Sequence, residues 1–335
     1  MELLFYFVLA LGALFVSGEQ NKAIVEITPV INVTESIFVD DEHKVIYYVD
    51  ALGNSVYKHA YERGETSSIE IPAKTVGAAI PIEGKHNEFI VAAHHEILRV
   101  HWSEEDTAER VTKLHTNLKL ASNERFFQGK ADAKGRLWIS TFRVGKGGPA
   151  DVIRGGGTFY SITVHKNHST TIEKKLSNVN VVTGLGWTQD GRHMYYVDAY
   201  KRKVFKYNFD LNNGDLGHSK VLFDLDHHPH LHGDIHGLAV KYNGAVVVSL
   251  WNGGALVLID GHDGSIIEKV TLPIQVPTSL AWGKGLGRNV VLVGSSRIPL
   301  TEEEIIQNPF DSGSVYLLNR VNCTGVPSFK IRLAD

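Results

Sequence analysis

One hydrophobic pattern is written six times along the chain. The stretches VIYYVD from position 45, EFIVAA from 88, RLWIST from 136, HMYYVD from 193, AVVVSL from 245 and NVVLVG from 289 are short and rich in β-branched and aromatic residues. That composition predicts strands. Polar turn sequences such as DAKGR, TQDGR and KYNGA precede them, and second apolar runs such as SVYKHAY, EILRVHW, GTFYSITV, KVFKYNFD and ALVLIDG follow, so each unit reads as a hairpin. The repeats end at Asp50, Ala93, Thr141, Asp198, Leu250 and Gly294. These ends lie roughly 40 to 60 residues apart, the size of a propeller blade with loop insertions. The pentapeptide YYVDA occurs at Tyr47 and again at Tyr195, three units later. Helical periodicity is confined to the short LTEEEIIQN, which excludes a doubly wound α/β sheet. A large sandwich does not explain the period. The pattern predicts an all-β chain folded as a six-bladed β-propeller, whose radial arrangement protects its strand edges.

The first residues stand outside that pattern. LLFYFVLALGALFV is followed by Ser17 and Gly18, and the run is shorter than the roughly 20 apolar residues a membrane span needs. Residues 1–18 are predicted to be a cleaved signal peptide, leaving 19–335 as one propeller domain with no membrane attachment. Sequons at Asn32, Asn167 and Asn322 agree with a secreted, extracellular glycoprotein. The single cysteine, Cys323, leaves no intramolecular disulfide, so the core alone must hold the fold. A formal charge of -3 without a basic stripe argues against nucleic acid and points to a small-molecule ligand or substrate, or a protein, as partner.

In a radial fold, ligand-binding residues come from every blade and are scattered through the sequence. The segments GKADAKGRLWIST, GLGWTQDGRHMYYVDAYKRKVFKYNFDLNNGDL, HGLAVKYNGAVVVSLWNGGALVLID and VTLPIQVPTSLAWG resemble, in order, the family of regucalcin (senescence marker protein), gluconolactonase and luciferin-regenerating enzyme. The resemblance runs from about Glu35 to about Leu318. It implies a divalent metal on the axis, often calcium or zinc, and hydrolysis of sugar lactones or related small esters. The metal's ligands would be a Glu before the first blade's strand, an Asn before Gly-Leu in mid-chain, and an Asp before Gly-Met or Gly-Leu one blade later. Glu35 matches the first, whereas Thr183 stands at the Asn position and His236 at the Asp position. Exchanging Asp for imidazole and amide for hydroxyl weakens a calcium site, although imidazole suits zinc. Among the substrate-binding positions implied by the resemblance, Arg125 is kept, Phe127 replaces an Asn, and Ile153 falls where a Glu is expected. The pocket is therefore expected to be more apolar than one made for a hydroxylated lactone. Two functions follow: a metal-dependent lactonase-like hydrolase, or a non-catalytic extracellular carrier for a small apolar or aromatic ligand.

Other residues have plainer explanations. Glu35 could pair with Arg125 across the axis without any metal. Asp50, Asp132 and Asp198 are expected to cap backbone groups, and Trp138, Trp187 and Trp251 to fill blade cores. The histidines between His227 and His236 sit in DLDHHPHLHGDIHG, broken by Pro and Gly into a loop without zinc-ligand spacing. The nucleophile elbow, phosphate loop and Rossmann fingerprint are all missing, since GKGG and RGGG lack the strand-to-helix context.

Overall fold

The computed structural model describes residues 24–335 apart from 103–110, 115, 117, 148–150, 284–289, 309, 311–312 and 320–323. The predicted signal peptide, the Asn322 sequon and Cys323 lie outside the described residues. Six four-stranded antiparallel sheets form the blades of a propeller. Five are sequence-contiguous; in the sixth, the N-terminal strand Ile24–Glu26 pairs with Val315–Asn319 as the outermost strand, so the two ends of the chain close the ring. The stretches recognised by their hydrophobic pattern are the second strand of each blade, Val45–Asp50, Glu88–Ala93, Leu137–Arg143, His193–Asp198, Val246–Trp251 and Val290–Ser295. These strands are buried almost throughout, because each blade packs on both faces against its neighbours. LTEEEIIQN supplies the helix Glu302–Gln307, capped by Thr301 in a capping box with Glu304. No helix among the described residues is long and apolar enough to cross a membrane.

The repeated YYVDA has a physical reason for each letter. The first tyrosine reaches the next blade: Tyr47 meets Phe89 edge-on at 4.7 Å, and the Tyr195 hydroxyl donates to the Gly244 carbonyl at 3.1 Å. The second stacks inside its own blade, Tyr48 on Tyr57 and Tyr196 on Phe205, both with ring centroids 5.1 Å apart. Val49 and Val197 are fully buried. Asp50 and Asp198 turn back to cap the segment that leads into the same blade's innermost strand. Asp132 is likewise structural, accepting from the Arg136 guanidinium at 2.7 Å and the Trp138 indole at 2.8 Å.

The innermost strands are Thr34–Asp40, Val76–Pro81, Glu124–Ala131, Val182–Trp187, Asp234–Val240 and Pro277–Gly283. Each carries a break in register early in its length, as between Glu35 and Phe38, Phe126 and Gly129, Val182 and Gly184, and Ile235 and Leu238. A bulge re-aims side chains locally and increases twist. Here it lets six strands converge on one axis. Gly77 and Gly237 show how tight the convergence is: a Cβ at Gly77 would lie 2.4 Å from the Phe127 carbonyl oxygen, and one at Gly237 would lie 2.2 Å from that of Thr278.

The far end of the axis is crossed by the C-terminal segment. It bridges Lys241 with Gly325, Ala131 with Phe329, Ile82 with Ile331 and His165 with Ala334, and so ties together blades distant in sequence. Lys330 adds an ion pair to Asp40 at 2.9 Å, and Arg332 one to Glu83 at 2.5 Å. A cavity of about 50 Å³ remains between this segment and the innermost strands, with Lys130, Trp187 and Trp282 in its lining.

Candidate functional site

At the near end of the axis, the bulges bring Glu35, Gln128, Thr183 and His236 from four different blades into one network. Glu35 is 1% exposed. One of its carboxylate oxygens accepts from the Gln128 side-chain amide, and the other lies 2.5 Å from His236 Nε2. The Thr183 hydroxyl donates to the His236 carbonyl at 2.9 Å, fixing the backbone that carries the imidazole. Trp251 stacks on the His236 ring with centroids 5.0 Å apart. Nε2 is held by Glu35, and among the described residues no side chain takes Nδ1.

Lys130 follows Gln128 by two residues on the same strand. Its ammonium donates to the Leu238 carbonyl at 3.1 Å, and burial pushes its pKa down to about 8 although the charge of Glu35 pulls the other way. Arg125 does not pair with Glu35. Its guanidinium stands over the Phe142 ring, 4.7 Å from the centroid, and burial lowers its pKa. Phe127 meets Phe142 edge-on at 5.5 Å, so Arg125, Phe127 and Phe142 form an aromatic shelf with a cation above it. Ile153 lies outside these contacts, 42% exposed on a loop whose backbone bonds to the Arg143 carbonyl.

The structure thus joins Glu35, Thr183 and His236, places Arg125 and Phe127 together, and leaves Ile153 apart. Gln128, Lys130 and Phe142 were not singled out from the sequence, where Gln128 and Lys130 read as ordinary alternating strand residues. Trp251 differs from the expectation of blade core: it ends its strand half-buried, against the imidazole. Trp138 and Trp187 are blade core as expected. The loop histidines stay separate from His236, with His228 stacked on Phe223 at 4.6 Å.

As they stand, the axial groups do not form a cation cage. Calcium takes six to eight oxygen ligands, and zinc sites are built on three or four side chains. Here there is one carboxylate, and an N–H group faces each of its oxygens. The Thr183 hydroxyl, donating to a carbonyl, would add only a neutral oxygen. A clustered set of metal-ligating side chains does occur among the described residues: the ligand atoms of Asp40, Glu42 and His43 lie within 4.8 Å of one another. It stands five residues further along the innermost strand of blade one, at the far mouth, where the Lys330 ammonium bridges Asp40 and Glu42.

Comparison with known proteins agrees with the architecture. A model of the SMP-30/Gluconolactonase/LRE-like region matches residues 33–295. The chain belongs to this family. Regucalcin of Gallus gallus is 23% identical over 88% of this chain and 93% of its own length. Among solved structures, a luciferin-regenerating enzyme superposes with a TM-score of 0.82 at 22% identity, covering 93% of this chain and all of that one. A regucalcin described as a calcium-binding protein, from Agrobacterium tumefaciens, gives 0.75 at 19% identity, covering 94% and 97%. Family membership gives Glu35, Thr183 and His236 their interest, because the three positions singled out by resemblance meet at one point on the axis.

Proposed function

We propose that the axial mouth binds a small lactone or related ester and hydrolyses it. A gluconolactonase from Xanthomonas campestris among the similar structures supports the substrate class. The observation that carries the chemistry is the Glu35–His236 pair: a buried carboxylate holds one imidazole nitrogen at 2.5 Å, and among the described residues no side chain takes the other. A carboxylate in this position fixes the tautomer and orientation of a general base. His236 Nδ1 takes a proton from water as the water oxygen attacks the ester carbonyl carbon. The carbonyl carbon–alkoxy oxygen bond then breaks, and the imidazolium returns the proton to the leaving alkoxide, giving the hydroxy acid. Arg125 and the Phe127–Phe142 shelf receive the flat face of the ring. In the cation-assisted form implied by the family, Glu35 and His236 would be the ligands, with Thr183 a poor third, and that is too small a set to carry a step.

The experiment is turnover of a panel of sugar, aliphatic and aryl lactones by the purified protein beside Glu35→Gln and His236→Gln. Hydrolysis in the wild type that both variants lose supports the reading. No turnover on any member sinks it.

A second reading is favoured by the same shelf. Arg125 over Phe142, with Phe127 at its edge, is built for an aromatic ligand, and the mouth would then serve a carrier without catalysis. It predicts a copurifying chromophore or tight binding of an aryl compound with no turnover. We also propose that the protein acts outside the cell, which the apolar leader and the sequons support.

A further inference from the structure

We infer that the axial site works without a resident divalent cation, and that the chain's own N–H donors meet the charge of Glu35. The inference rests on the reading of the axial mouth as the functional site, but it concerns what holds that site together. Four observations carry it. First, the Gln128 amide donates to one oxygen of Glu35 while His236 Nε2 occupies the other, so two N–H donors already share the carboxylate's charge and a metal would compete with both. Second, the Thr183 hydroxyl, the third candidate ligand, is neutral and held as a donor to the His236 carbonyl, so it adds no negative charge for a dication.

Third, the carboxylates on or paired with the strands that carry Gln128, Thr183 and His236 are already engaged. Glu124 accepts from Thr141 at 2.6 Å and from Arg143 at 3.1 Å, Asp198 accepts from Asn180, and Asp234 pairs with Arg202. None of them is available to supply the second negative charge that a hard dication needs. Fourth, the Lys130 ammonium lies among the innermost strands, donating to the Leu238 carbonyl at 3.1 Å, and the charge of Glu35 acts on it. The far mouth follows the same logic, since Lys330 lies between Asp40 and Glu42 at 2.9 and 3.3 Å.

The test is metal content and cation-dependent stability of the full chain. Wild type, Glu35→Gln and the double variant Thr183→Asn/His236→Asp are each equilibrated with calcium or zinc, desalted, and assayed by elemental analysis. Thermal midpoints are recorded with each cation and with chelator. The inference expects wild type to retain less than one ion per chain, with a midpoint indifferent to cation and chelator. The double variant, which regains an amide and a second carboxylate, should take up calcium and show a raised midpoint in its presence.

One equivalent of ion in the wild type that Glu35→Gln loses would overturn the inference. An ion kept by Glu35→Gln but lost by Asp40→Asn lies at the far mouth and leaves the axial conclusion supported. Should the double variant fail to fold, the comparison of wild type with Glu35→Gln still decides. The outcome is separable from the proposed activity: a metal-free protein inert toward every lactone sinks the hydrolase and not this inference, and a hydrolase with one Glu35-dependent ion does the reverse.

Discussion

Asn180 donates its side-chain amide to both oxygens of Asp198, at 2.9 and 3.1 Å, across eighteen residues of chain. Three blades away, Asn32 donates to Asp50 at 2.8 Å over the same sequence interval. Each asparagine stands three residues before an axial residue, Thr183 in one case and Glu35 in the other. The second half of YYVDA is therefore a device for anchoring the entry of an innermost strand, and it is used on opposite sides of the ring to set two members of the candidate site. Its removal should cost stability and site geometry together.

Asn180→Ala leaves Asp198 buried and short of its main partner. Loss of one partner of a buried charged hydrogen bond is worth about 1 to 3 kcal/mol. Urea unfolding should show a lowered midpoint with unchanged slope. A variant as stable as wild type would mean that the Lys201 backbone and ammonium satisfy Asp198 alone.

Glu35→Gln removes the charge that orients His236 but retains its size. If the pair works as a general base, hydrolysis of the best lactone should fall about 100-fold or more, with the thermal midpoint still showing a folded propeller. Glu35→Asp should recover little, because the shorter side chain cannot hold both Gln128 and His236. Equal rates for all three proteins would remove Glu35 from the chemistry.

Much of this architecture was legible in the chain because propeller strands are local: VIYYVD and its counterparts are buried on both faces and announce themselves by composition. The site was legible only in part. Glu35, Thr183 and His236 stand out through resemblance, and they do meet. Gln128 and Lys130 look like alternating polar residues of a strand, and only the bulge between Phe126 and Gly129 turns them toward the axis, which no period-2 pattern records. Trp251 misleads for a related reason. It ends a strand of core residues, VVVSLW, but at that edge the next layer of packing is the His236 imidazole. Arg125 was a reasonable partner for Glu35 by charge alone. The choice of Phe142 instead follows from its neighbours on the shelf, which are distant in sequence.

Under the proposed function, Phe127 beside Phe142 is expected to set what the mouth prefers. Replacing Phe127 by Asn introduces a polar group and removes a ring whose contact with an aromatic ligand would be worth about 0.5 to 1.5 kcal/mol beyond burial. Affinity for aryl lactones or other aromatic ligands should fall roughly 3- to 10-fold, while sugar lactones gain or hold. Competition binding of an aryl and a sugar lactone to both proteins checks it. Parallel losses for both ligand types would mean that Phe127 serves only packing.

The sequons at Asn32 and Asn167 should differ in occupancy. The Asn32 amide nitrogen is bound to Asp50, so a glycan there would compete with the anchor of the first innermost strand. Asn167 lies on an exposed turn, with its carbonyl oxygen held by Ser169 and its amide nitrogen outward. In protein from a secretory host, mass spectrometry should find glycan on Asn167 and little or none on Asn32. Full occupancy of Asn32 would show that modification precedes formation of the Asp50 contact.

The C-terminal segment should respond to acid through Asp40. Burial pushes the pKa of this carboxyl up, but hydrogen bonds from Lys330 and His43 outweigh that and hold it below its ordinary value of 3.8. A carboxylate whose pKa is lower folded than unfolded adds stability above the unfolded value, and that stability is lost as pH falls through the folded value. Wild type should therefore lose stability progressively as pH drops below about 5 and on past the unfolded value. Lys330→Met removes the ammonium that depresses the pKa, so the variant should be less stable at neutral pH by about 1 to 3 kcal/mol. Its stability should also fall less steeply with acid. The same variant loosens the segment over the far mouth of the axis, where backbone amides of Ile331 and Ala334 are bonded to the Pro81 and Val164 carbonyls. Hydrogen exchange at those two amides should quicken in Lys330→Met at neutral pH and in wild type at low pH. Unchanged exchange in the variant would show that the backbone bridges hold the segment without the ion pair.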